Sequence, residues 1–167
     1  MTKDYKPCPT DTSLPRQPQP YSIDRKFYFA KESTTWNKHG VGFISNKRNK
    51  RSTTLGKLYL ISKAQLSHLF AQENGRDTAK IDFEKLLNDG ILDFDYNFYN
   101  RIILLDKDYN GFQILTFTNK SNLLTNKPLF EYAALISNGL RLTHKLTNKE
   151  AVNYLGKNGT GAKKKDF

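Results

Sequence analysis

The chain has 167 residues, 37% hydrophobic and 13% aromatic, with a formal net charge of +11. That length suits one domain with a lean core carried largely by Tyr and Phe. No apolar run approaches the roughly 18 residues a membrane helix needs, and the single cysteine, Cys8, excludes an internal disulfide and any zinc site with two or more Cys ligands. The first residues show no apolar stretch of the secretory kind, so the expected compartment is the cytoplasm.

Residues 1–20 hold Pro7, Pro9, Pro15, Pro18 and Pro20 and almost no large aliphatic side chains. Such a segment is expected to be a flexible, polyproline-leaning arm. Order is expected from Tyr21 onward. The aromatic run Lys26-Phe27-Tyr28-Phe29-Ala30 predicts a strand, and Val41-Gly42-Phe43-Ile44 a second. The basic run over 46–51 reads as an exposed loop. A third strand over 55–61 alternates Leu58 and Leu60 against Tyr59 and Ile61.

Ser62 with Gln65 forms a capping box that opens a helix carrying Leu66, Leu69 and Phe70 on one face. Asn74-Gly75 should close it, which places Glu73 in its last turn. A carboxylate there opposes the helix dipole at a small cost. A short helix is predicted over 81–88 with Phe83, Leu86 and Leu87 inward. Two strands over 98–105 and 112–117 are joined through Asn110-Gly111, a strong hairpin signal. Leu129, Tyr132, Ala133 and Ile136 predict a helix with Pro128 near its first turn. Thr147 and Glu150 cap another that runs through Leu155. The Gly- and Lys-rich tail over 156–167 is expected to be disordered, which leaves one domain over 21–155.

This order of strands, helix, strands and two helices predicts an α+β fold: a small mixed or antiparallel, barrel-like sheet with flanking helices. Regular strand–helix alternation, as in a doubly wound parallel sheet, is absent.

The stretch from Trp36-Asn37-Lys38-His39-Gly40-Val41-Gly42 through Leu55-Gly56-Lys57-Leu58-Tyr59, and on to Ala71-Gln72-Glu73-Asn74-Gly75, resembles the gamma-glutamylcyclotransferase-like superfamily. Pro128-Leu129-Phe130-Glu131-Tyr132 and Glu150-Ala151-Val152-Asn153-Tyr154-Leu155 resemble its C-terminal helices. The likeness spans residues 27–155. It implies that Glu73 is the general acid/base and that Tyr132 lies near the pocket; Trp36, which could stack on a ligand, and Gly40 join Tyr132 as candidate substrate-binding residues. The implied substrate is a small gamma-glutamyl compound. Its alpha-amine attacks its own gamma-carbonyl and closes 5-oxoproline, while one carboxylate moves the proton to the leaving amine. The nucleophile sits within the substrate at high effective molarity, so no cofactor and no metal are implied. The family's Tyr-Gly-Ser-Asn strand and loop, whose amides would hold the oxyanion, has no counterpart in this sequence. The expectation is therefore a chain lacking the family's first strand, with little turnover and an open sheet edge through which it could dimerise.

Other candidates are weaker. His39, His68 and His144 are too scattered to form a metal set. Asp93 and Asp95 fall on the exposed side of their alternation. Trp36 and Tyr132 are also natural packing residues. The alternative function is a non-catalytic interaction, nucleic-acid-binding or anion-binding protein using the basic runs at 46–51 and 163–165, although no nucleic-acid-binding motif accompanies them. No membrane partner is expected.

Overall fold

A computed structural model describes residues 6–158. The chain is α+β, as its element order predicts, with seven strands and four helices among the described residues: β1 (Arg16–Ile23), β2 (Arg25–Ser33), β3 (His39–Arg48), β4 (Thr54–Leu60), α1 (Lys63–Glu73), α2 (Phe83–Asp89), β5 (Ile91–Asp93), β6 (Arg101–Tyr109), β7 (Phe112–Thr118), α3 (Phe130–His144) and α4 (Asn148–Asn158). The strands form three small sheets, β1-β4, β2-β3 and β5-β6-β7. The barrel-like closure expected from the sequence is not seen among the described residues. Part of the reason is local. Pro18 and Pro20 stand two apart in β1, so the N–H groups they lack belong to one side of that strand.

The chain divides into two compact units, where the sequence reading expects one domain over 21–155. Among the described residues, the first comprises Gln19–Lys57 and residues 121–158. Here β2 and β3 pair antiparallel, with Phe27 opposite Ile44, Phe29 opposite Gly42 and Ala30 opposite Val41. Phe29, Leu140, Ala151 and Leu155 are the buried centre, and Phe27, Leu55, Tyr132, Ile136, Leu146 and Tyr154 pack around it. α3 and α4 thus cover one face of the hairpin. The Thr147 hydroxyl and backbone N–H both donate to the Glu150 carboxylate, the capping arrangement expected of α4. Residues 156–158 complete α4, and the rest of the expected tail lies outside the described residues.

The second unit comprises Leu58–Lys120 and a segment ending at Pro18. β5, β6 and β7 form an antiparallel meander, with Leu92 opposite Ile102 and Ile102 opposite Phe117. Asn110 and Gly111 both take positive φ, 54° and 82°, as a two-residue hairpin turn requires. Phe70 of α1 is fully buried against Phe94, Tyr96 and Phe117. The Ser62–Gln65 capping box is formed in both directions. α2 ends at Gly90, which takes the left-handed cap conformation.

The proline-rich segment differs most from expectation. Instead of a free arm up to residue 20, residues 16–20 are already in β1, and residues 6–13 lie along α1. His68 and Gln72 bond the Lys6 carbonyl, and Gln65 donates to the Ser13 carbonyl at 2.7 Å. Cys8 is buried. An extended proline-rich chain leaves carbonyls without partners, and three polar side chains at i, i+3 and i+7 of one helix reach them in turn.

Candidate functional site

Glu73 is the last residue of α1 and is half-buried. The structure around it is firmly set. The side-chain amide of Asn74, the C-cap, donates to the Phe70 carbonyl at 2.9 Å, and its oxygen accepts the Tyr99 N–H at 2.9 Å. Gly75 then turns the chain with φ 65°. Two residues on from Asn74, the Arg76 guanidinium lies 4.2 Å from the centre of the Tyr96 ring. The carboxylate therefore projects from a helix end that is pinned on both sides. A carboxyl side chain at a helix end held by such hydrogen bonds is a suitable acid/base position.

Trp36, Gly40 and Tyr132 belong to the first unit, whereas Glu73 belongs to the second. The structure brings those three together. The Trp36 and Tyr132 ring centres are 5.0 Å apart, and Tyr132 also meets the edge of Phe29 at 6.1 Å. The Tyr132 hydroxyl accepts the Gly42 N–H at 3.1 Å. Gly40 has a packing reason. A Cβ there would stand 2.1 Å from the Asn126 carbonyl oxygen, and its own N–H donates to the Lys127 carbonyl at 2.8 Å. Trp36 and Tyr132 are half-buried, with their rings tilted at 41° to one another, so both serve the packing of the β2-β3 turn against α3.

The three histidines are each engaged with backbone oxygen: His39 with Trp36 and Asn37, His68 with Lys6, and His144 with Gly56. No cluster of three or more His, Cys, Asp or Glu side chains is placed to hold a metal ion among the described residues. Asp93 is taken up by Arg101, which holds it in a two-point ion pair with both contacts at 2.6 Å. That pairing keeps the Asp93 carboxyl below its ordinary range, chiefly through the Arg101 hydrogen bonds. Among the described residues no helix is long and apolar enough to cross a membrane.

The second unit also contains a cleft that sequence reasoning missed. Its cavity volume is about 170 Å³. The walls come from the end of β4 (Tyr59, Leu60), the first turn of α1 (Lys63, Leu66), α2 (Phe83, Leu87) and β7 (Phe112, Leu115). It adjoins the N-terminal end of α1. Glu73 stands at the other end of that 11-residue helix, roughly 15 Å away along its axis. The one visible signal in the sequence was the alternation in the β4 region that separates Tyr59 and Ile61 from Leu58 and Leu60; the structure leaves Tyr59 50% exposed.

Comparison with protein-family models, with curated proteins and with solved structures finds no match to this chain.

Proposed function

We propose that this chain is a gamma-glutamylcyclotransferase-like protein in which Glu73 acts as general acid/base. The observation that carries the reading is the position of Glu73. It is the final, half-buried residue of a helix that follows β4 directly and is closed by Asn74-Gly75, the order of elements on which the family resemblance rests. The reaction is an intramolecular acyl transfer. The alpha-amine of a gamma-glutamyl amine attacks its own gamma-carbonyl, and the C–N bond to the departing amine breaks. Glu73 takes the proton from the attacking nitrogen and returns it to the leaving one. Ring closure within one substrate needs no second nucleophile, so a single well-placed carboxylate suffices for proton transfer.

The test is release of 5-oxoproline from a panel of gamma-glutamyl amines by the full chain and by Glu73→Gln. Release that disappears in the variant supports the reading. Absence of release from every substrate, or undiminished release by the variant, sinks it.

A second reading is a non-catalytic, anion-binding or nucleic-acid-binding role, favoured by one observation. Residues 47–51, which end β3 and form the turn after it, are all exposed and carry Lys47, Arg48, Lys50 and Arg51. Such a cluster attracts polyanions through counterion release. Oligonucleotide binding that weakens steeply with salt, and weakens again in a Lys47→Ala, Lys50→Ala, Arg51→Ala variant, distinguishes it from the first reading.

A further inference from the structure

The cleft at the start of α1 is independent of the Glu73 reading, and its chemistry is one-sided. The walls are mostly apolar, chiefly Leu60, Leu66, Leu87, Leu115 and the Phe83 ring, with Tyr59 and Phe112 at the exposed edge and Gln113 as a neutral polar neighbour. The one cationic group among its lining residues is Lys63, and none of them is a carboxylate. The Lys63 ammonium lies over the Phe83 ring, 5.2 Å from its centre. That contact draws the solvent-exposed cation toward the aromatic wall. Lys63 is also the first residue of α1, whose first turn contains no acidic residue. A cation there opposes the positive end of the helix dipole. An anion bound beside it offsets that cost.

Size narrows the class of ligand. An apolar cavity of roughly 150 Å³ accommodates one benzene ring, and this cleft is about 170 Å³. Ring-sized apolar space beside a single ammonium is complementary to one ring bearing one anionic group. Ser62 is not a free polar anchor, because its side chain is occupied in capping α1. From these features we infer that the cleft is a binding site for a small aryl carboxylate, with the ring between Leu66, Phe83, Leu87 and Leu115 and the carboxylate on the Lys63 ammonium.

The probe is 3-phenylpropionate, titrated into the ¹⁵N-labelled full chain and followed by amide chemical shifts. The expected result is saturable shifts confined to residues 59–66, 83–87 and 112–115. Lys63 is exposed, so Lys63→Met preserves the fold, as far-ultraviolet circular dichroism will verify. That variant is expected to bind the probe about tenfold more weakly, the loss of one favourable charge contact. The neutral analogue 3-phenylpropanol is expected to bind both proteins equally and weakly. No saturable shifts at millimolar probe, shifts centred elsewhere, or equal affinity of Lys63→Met and the unaltered chain each overturns the proposal.

Discussion

The hydroxyl of Tyr132 on α3 accepts the backbone N–H of Gly42 on β3 at 3.1 Å. One side chain thereby ties the C-terminal helices to the β2-β3 hairpin across 90 residues of sequence, and its ring fills the space between Phe29 and Trp36. Tyr132→Phe keeps the ring and removes the acceptor. It is expected to lower stability by about 1 kcal/mol. Tyr132→Ala also removes the packing and is expected to cost about 3 kcal/mol. Urea denaturation of the two variants measures the difference: a Tyr132→Phe variant as stable as the unaltered chain would show that the hydroxyl contributes nothing, and equal costs of the two variants would show that the ring packing contributes nothing.

Gly40 and Gly42 should respond differently to the same change. A Cβ at Gly40 meets the Asn126 backbone oxygen at 2.1 Å, and backbone cannot easily move aside. A Cβ at Gly42 meets the edge of the Phe27 ring at 2.8 Å, and a side chain can turn. Gly40→Ala is expected to destabilise by about 3 kcal/mol or more, and Gly42→Ala by about 1 kcal/mol. Thermal unfolding of both variants checks the ranking, and the reverse order contradicts it.

Tyr154 on α4 accepts the Leu55 N–H at 2.9 Å, and burial pushes its phenol above the ordinary value. The folded state therefore holds a proton that the unfolded chain releases near pH ~10. The associated stability is complete below that pH and is lost as the pH rises from there through the folded pKa. Tyr154→Phe has no such proton to lose. Its denaturation midpoint should fall less steeply than that of the unaltered chain between neutral pH and the alkaline limit of folding. Parallel profiles would count against this.

Asp93 faces Arg101 across the β5-β6 pair, and the hydrogen bonds from Arg101 hold its pKa down. The stability from this pair is present above the unfolded carboxylate value of about 3.9 and fades as the pH falls through the lower folded value. The Asp93 side chain is 40% exposed, so solvent screens the pair. Asp93→Asn is expected to cost about 0.5–1 kcal/mol at neutral pH. Its stability curve should converge with that of the unaltered chain below the carboxylate range. A gap that persists at low pH would show that the effect is not ionic.

Much of the secondary structure is determined by local signals in the sequence. The Ser62–Gln65 and Thr147–Glu150 boxes start α1 and α4, Asn110-Gly111 turns β6 into β7, and alternation puts Leu58 and Leu60 on the opposite face from Tyr59 and Ile61. Each depends on residues a few positions apart, so each is legible without the fold. The position of Glu73 at a helix end was legible for the same reason. What only the tertiary structure decided is where those pieces go. The strand over residues 16–23 and the packing of residues 6–13 depend on partners more than 30 residues away, notably Gln65, His68 and Gln72, and a proline-rich composition conceals them. The cleft beside Lys63 is assembled from β4, α1, α2 and β7, none of which encloses it alone. The same holds for the division that places Glu73 in one compact unit and Trp36, Gly40 and Tyr132 in the other. Local propensity sets an element's start and stop, whereas burial between elements distant in sequence sets which residues become neighbours.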